Sequence, residues 1–241
     1  MVPAMKFDAP LIPGRLVRRY KRFLADIELG DGTLVTAHCA NPGSMIGLIE
    51  PGTEVWLSES TNPSRKLKFN WELLRVDMGS GPAMVGINTS HPNRIVADAI
   101  RGGSIAELAG YAGLRTEVKY GRNSRIDILL EDEGRPPCYV EVKNVHLLRS
   151  GTRAEFPDSV TARGAKHLDE LAAMAGSGAR SVMMFLVQRD DAVELALAGD
   201  IDPHYVERFK VATAAGVETL VYCCRLSEHE IAVHRRLPLV F

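Results

Sequence analysis

Hydrophobic and polar positions change their rhythm near residue 90. Before it, short runs alternate with the two-residue period of strands. Residues 22–29 alternate up to Gly30-Asp31-Gly32, and residues 33–39 resume a β-rich run, which is a hairpin signature. Pro42-Gly43 and Pro51-Gly52 mark turns, and residues 54–57, 66–76 and 83–89 continue the strand pattern. Five or six strands without a convincing helix predict a small barrel of the OB-fold kind over residues 1–88.

From residue 89 to 241 the pattern mixes periods. Residues 94–112 read as a helix weakened by Gly102-Gly103, and strands follow at 115–120, 125–131 and 138–147. Residues 159–175 are amphipathic, with Val160, Ala165, Leu168, Leu171 and Ala172 on one helical face. Residues 181–188 form a continuous apolar run suited to the middle of a sheet. A helix at 203–215 opens with Pro203, and two strands close the chain. The fold class expected is therefore α/β (α+β): a barrel, then a mixed sheet flanked by helices.

Composition narrows the picture. The chain has 241 residues, 46% of them apolar and 24% charged, which excludes a disordered or fibrous protein. The longest clear apolar run, residues 182–187, is far too short for a membrane span, and residues 1–10 lack the apolar core of a secretory signal. A cytoplasmic protein with no membrane partner is expected. Cys39, Cys138, Cys223 and Cys224 form no C-x-x-C pair and read as reduced, buried thiols. The net charge of −1 announces no global basic field. Locally, however, Arg15, Arg18, Arg19, Lys21 and Arg22 follow one another with no acid between residues 9 and 25.

The chemistry concentrates on two neighbouring strands. Alternation puts Asp127 on the same face as Arg125, and Glu141 on the same face as Lys143. A hairpin centred on Gly134 sets Asp127 opposite Glu141, about 4.5–5.5 Å apart at Cβ. Two facing carboxylates repel, and a divalent cation between them reverses the sign. Lys143 then reaches the same place, where an ammonium stabilises charge on a phosphate. The motif Glu-x-Lys alone is weak, since Glu117-Val-Lys119 carries it as well. The rival reading makes all three residues one solvated strand face.

This order of elements resembles the PD-(D/E)xK nuclease core. More closely, the chain resembles the sugar fermentation stimulation protein A (SfsA) family in "RFLAD" (22–26), "TAHCANPGSM" (36–45), "YGRNSRIDILL" (120–130), "YVEVKNV" (139–145), "FPDSVTARGAKH" (156–167) and "FLVQR" (185–189). Asn41-Pro42-Gly43 stands where that family usually carries Asn-Thr-Gly. The resemblance implies an N-terminal OB-fold and a nuclease-like domain over 89–241. It also implies DNA binding without sequence specificity and a regulatory role in maltose metabolism. Carried over residue by residue, it makes Asp127, Glu141 and the Val142 carbonyl ligands of Mg²⁺ or Mn²⁺, and Lys143 the catalytic lysine. It adds Glu107 and Gln188 as further site residues, each of which reads equally as an ordinary exposed or strand-end polar group.

The run Arg15–Arg22, interleaved with Tyr20 and Phe23, suits a groove that tracks phosphates and stacks bases. It reads also as an edge strand kept soluble by cations. Arg163, Lys166 and His167 share a helix face and either contact phosphate or form a solvated stripe. Asp158 or Ser159 is expected to cap that helix. No zinc spacing, phosphate-binding P-loop, dinucleotide fingerprint or nucleophile elbow is present. The expectation is a DNA-binding protein with a metal-dependent phosphodiesterase domain, a homodimer being admitted. Its alternative is a non-catalytic DNA-binding regulator of sugar metabolism.

Overall fold

The structure, a computed structural model, describes residues 3–121 and 124–241. Arg122 and Asn123, which belong to the family-like segment 120–130, lie outside the described residues, as do Met1 and Val2.

β1 (Met5–Lys6) is followed by β2 (Ile12–Tyr20), β3 (Leu24–Leu29), β4 (Leu34–His38), β5 (Glu54–Glu59), β6 (Phe69–Asp77) and β7 (Pro82–Gly86). Strands β2 to β6 close a five-stranded barrel in the order β4-β3-β2-β5-β6, with β4 paired parallel to β6, and β7 is added beside β6. The hairpin at residues 30–32 forms as its sequence predicts. Gly32 takes a φ of +82°, and Asp31 accepts the Thr33 N–H at 2.9 Å. Leu16, Ala25, Ile27, Ala37, Val55, Leu57, Trp71 and Leu74 alternate inward and fill the barrel.

The second half carries α1 (Pro92–Arg101), β8 (Gly113–Tyr120), β9 (Ser124–Glu131), β10 (Cys138–Val145), β11 (Arg153–Phe156), α2 (Ala162–Gly176), β12 (Arg180–Val187), β13 (Glu194–Leu197), α3 (Pro203–Ala214), β14 (Glu218–Leu226), β15 (Glu230–Arg236) and β16 (Leu239–Val240). The helix read over 94–112 ends at Arg101, because Gly102 caps it and Gly103 turns left-handed at φ +74°. A mixed sheet runs β1-β15-β14-β12-β10-β9-β8. Its centre explains the unbroken apolar run. Val182, Met184 and Leu186 pack under α1, whereas Met183, Phe185 and Val187 pack under α2 and α3. The small sheet β11-β13-β16 lacks a clear sequence signal, its strands being only two to four residues long.

The partition at residue 88 is not a clean cut in space. Met5 and Lys6 pair with Ile231 and Glu230 at the edge of the large sheet, where Met5 buries apolar surface. Barrel and sheet also share a seam. The Gly86 N–H donates to the Gln188 carbonyl at 2.9 Å, and Trp56 and Leu73 of the barrel join the core beneath α1. Among the described residues no helix is long and apolar enough to cross a membrane.

Candidate active site

The hairpin centred on Gly134 (φ +80°) pairs Cys138 with Leu130, Tyr139 with Leu129 and Val140 with Ile128. There the β9–β10 ladder stops. One step further Asp127 would oppose Glu141, but the strands part instead, and β10 continues beside β12. The Asp127 carboxylate fills the fork, accepting the Val142 N–H at 2.7 Å and the Asn93 side-chain amide at 2.8 Å. Asn93 lies in the first turn of α1 and also donates to Glu117 at 2.9 Å. Glu117 sits on β8 between Thr116 and Val118, the partners of Ile128 and Ile126, and holds a φ of +54°. A non-glycine residue in that conformation costs energy, and such strain gathers where a side chain must be aimed.

The start of α1 is itself fixed from the barrel. Buried Glu72 on β6 accepts hydrogen bonds from Ser58 at 2.6 Å and Asn88 at 2.8 Å, and its carboxylate meets His91 at 2.7 Å. His91 occupies the cap position of α1, two residues before Asn93.

Glu141 is 1% exposed. Its Oε1 meets the Lys143 ammonium at 2.6 Å and the Nδ1 of His167 on α2. Arg163 donates to His167 Nε2 at 3.3 Å, and arginine can only donate. His167 thus bridges Arg163 and the Glu141 carboxylate through its two ring nitrogens, with the Lys143 ammonium 3.2 Å from Nδ1. Burial works against the Glu141 anion, yet His167 and Lys143 hold its carboxyl below the usual range. Asp127 behaves oppositely: burial and the neighbouring Glu141 charge push it up to about 6, against the Val142 and Asn93 hydrogen bonds.

One oxygen in this arrangement is bare. Glu141 Oε2 is buried and receives no hydrogen bond. A buried anionic oxygen without a partner is costly, and a divalent cation satisfies it. Among the described residues no three His, Cys, Asp or Glu side chains converge on one point. The centre thus suits an ion that takes two carboxylates, a carbonyl and water, as Mg²⁺ does.

Asp127, Glu141 and Lys143 are brought together, and Val142 lies between them. Arg163 and Lys166 line a shallow hollow with Arg125, Glu117 and His167 at the rim of the same centre. Lys166 also lies 3.7 Å from Glu170. Glu107 is not part of the cluster. It accepts from Tyr222 at 2.6 Å and pairs with Arg236 at 3.0 Å, on β14 and β15 beyond the sheet's centre, because the helix expected to carry it stops at Gly102. Gln188 is not part of it either. Strand alternation turns it to the α1 face, where it donates to Asn144 at 2.8 Å and abuts Gly86. The site residues the sequence did not disclose are Asn93, Glu117 and the Glu141-bonding role of His167. The second Glu-x-Lys motif, at Glu117, was the available signal.

Asp158 does not cap α2. Thr161 does, accepting from Gly164 at 3.0 Å. Asp158 instead receives the Met45 N–H at 3.3 Å, takes Ser44 on its carbonyl at 2.6 Å and lies 3.3 Å from His146. It clamps the loop 41–45 of the barrel half to the entrance of α2. A Cβ on Gly43 would come within 2.3 Å of the Asp158 carboxylate, so the clamp requires glycine there. Burial opposes the charge, and His146 with the Met45 amide overcomes it, holding Asp158 well below the usual carboxylate range.

Three of the five cations of the basic run are engaged, two of them by acids. Arg18 is paired with Asp26 directly across β3, at 2.8 Å, and lies over the Tyr20 ring. Arg15 opposes Glu54 on β5 at 3.6 Å and donates to the Gly52 carbonyl. Arg19 donates to the Asn41 and Gly43 carbonyls at 2.8 and 3.0 Å, bracing the clamped loop. Only Lys21 and Arg22, at the β2–β3 turn, project without an ion-pair or hydrogen-bond partner among the described residues.

Known proteins share this architecture. Residues 90–230 match the sugar fermentation stimulation protein RE domain, and residues 17–87 match the SfsA N-terminal OB domain. The chain is 56% identical to the sugar fermentation stimulation protein homolog of Azorhizobium caulinodans, over 98% of this chain and 100% of that protein. It is 59% identical to the homolog of Rhodospirillum centenum, over 98% of this chain and 99% of that protein. The solved structure of Pyrococcus furiosus SfsA in complex with Ca²⁺ has the same fold, with a TM-score of 0.86 over 100% of both chains at 23% identity. Both family domains are matched in order along nearly the whole sequence, and the chain therefore belongs to the sugar fermentation stimulation protein (SfsA) family.

Proposed function

We propose that this protein binds DNA without sequence specificity and hydrolyses phosphodiester bonds with the help of Mg²⁺ or Mn²⁺. The observation that carries the reading is the fork between β9 and β10, where a bare, buried carboxylate oxygen sits beside a second carboxylate and a lysine. Asp127, Glu141 and the Val142 carbonyl would hold the ion. Bound there, it supplies a Lewis acid for the scissile phosphate. The relative solved with Ca²⁺ supports a divalent ion in this family.

The chain's own residues supply the rest. Lys143, 14% exposed at its side chain, keeps its ammonium oriented through Glu141, so it meets a phosphate without reorganising. His167 fixes the Glu141 rotamer from α2, which leaves Oε2 as the free oxygen. Arg125, Arg163 and Lys166 on the rim suit the phosphates flanking the cleaved one.

Purified protein incubated with plasmid, single-stranded DNA and RNA, with Mg²⁺, Mn²⁺ or EDTA, tests this. Metal-dependent nicking that EDTA abolishes is expected. A wild-type protein that leaves every substrate intact with both metals sinks the nuclease reading and promotes the non-catalytic regulator.

A further inference from the structure

The β2–β3 turn combines features that an ordinary hairpin does not need. Lys21 and Arg22 hold φ values of +49° and +63°, a conformation that glycine or asparagine would take more cheaply. Phe23 follows, 46% exposed, its ring stacked on His38 at a centroid distance of 6.4 Å and an angle of 20°. The turn is nonetheless ordered. Phe23 N–H donates to the Lys21 carbonyl at 2.8 Å, and the Phe23 carbonyl accepts from Cys39 at 2.8 Å. An exposed ring thus stands on an aromatic base, flanked by two cations that no acid neutralises among the described residues.

A chain of contacts leads from this turn to the candidate active site. Arg19, two residues before Lys21, braces the loop 41–45. Ser44 of that loop is fixed to Asp158. Asp158 leads into α2, whose His167 meets Glu141 and receives Arg163 on its other ring nitrogen.

We propose that the turn Lys21–Phe23 captures one unpaired nucleotide, Phe23, backed by His38, stacking on its base while Lys21 and Arg22 neutralise its phosphates. The inference rests on the nucleic-acid reading above and deepens it. A duplex hides the faces of its bases, so an exposed ring selects a single strand or a junction, whereas the two cations alone would serve any phosphate chain. The strand would then run over the clamped seam towards the carboxylate fork.

Fluorescence anisotropy with labelled oligothymidylate and with a blunt duplex of equal length, in EDTA at one salt concentration, tests it. Wild type should bind the single strand more tightly than the duplex. Phe23→Ala should weaken single-strand binding about ten- to a hundredfold and duplex binding less than about threefold. Phe23→Leu should behave like Phe23→Ala, and Phe23→Trp should retain wild-type affinity, which separates stacking from mere apolar contact. Equal losses on both substrates, or none on the single strand, overturn the stacking site and leave the DNA-binding reading standing. A wild type that binds neither oligonucleotide overturns that reading too. Capture of anionic phospholipid vesicles by wild type, lost in Phe23→Ala while single-strand affinity stays unchanged, reassigns the turn to a lipid surface and overturns the proposal.

Discussion

On β2 of the barrel, Arg15 and Arg18 meet Glu54 and Asp26 from the strands on either side; at the fork of β9 and β10, Asp127 and Glu141 share one place, with Lys143 and His167 held on the Glu141 side. The first stands out in the sequence as like charges crowded together, and the second becomes so once a hairpin about Gly134 is inferred. Folding resolves the first and preserves the second. In the barrel, antiparallel neighbours supply the opposite charge in register, so a linear run of arginines becomes a set of surface ion pairs. At the fork the ladder breaks one residue before the carboxylates would oppose each other, and one carboxylate oxygen stays bare. Charge density along a chain therefore says little about a binding surface until the cross-strand partners are known. A buried carboxylate oxygen left bare says much more, because something outside the chain can satisfy it.

The sharpest break of this comparison is at Lys143. Lys143→Ala should lower metal-dependent cleavage about 10²–10⁴-fold while DNA affinity stays within a few-fold, because the ammonium acts mainly on the transition state. Nicking rate and equilibrium affinity measured on the same protein decide it; parallel losses in both would make Lys143 a binding residue.

Next in size is the stability cost of the crowded carboxylates. Asp127 titrates near 6 in the folded protein against about 3.9 in the unfolded chain. The folded state thus holds the proton more tightly. The stability this confers is fully present below about pH 4 and is lost as pH rises through 6, some 2–3 kcal/mol in all. In EDTA, Asp127→Asn should flatten that dependence. Urea unfolding at pH 5 and pH 8 checks the sign. Millimolar Mn²⁺ should raise the melting temperature of wild type and leave the variant unmoved; an equal rise in both would put the ion elsewhere.

A smaller effect is expected at the barrel's turn. Removing both unpaired cations, Lys21→Ala with Arg22→Ala, should weaken binding about tenfold and lower the salt dependence by roughly 0.7–0.9 for each phosphate no longer neutralised. A salt series read against wild type measures it, and an unchanged slope would show that phosphates pass elsewhere. The smallest effect belongs to Arg18. It is already engaged by Asp26, so Arg18→Ala should change DNA affinity less than about twofold and leave stability close to that of wild type. A loss as large as that of the double variant would erase the distinction between paired and unpaired cations.

By itself the sequence determined whatever a few neighbouring residues decide. Gly30-Asp31-Gly32 made a hairpin, alternation about Gly134 brought residues 127 and 141 to the same end of one ladder, and the apolar run at 182–187 became the central strand. These features depend on periods of two or 3.6 residues and on turn chemistry, which are local. The tertiary structure alone decided which side chains far apart in the chain meet. It brought Asn93 and Glu117 to Asp127, and His167 to Glu141. It sent Glu107 and Gln188 to other partners and turned Asp158 from an expected helix cap into the clamp of the barrel loop. It also cancelled three arginines against carboxylates and carbonyls of other segments. The reason is that a charge's worth depends on its neighbours within a few ångströms, and those are set by strand register and helix docking, to which the spacing of any single motif is blind.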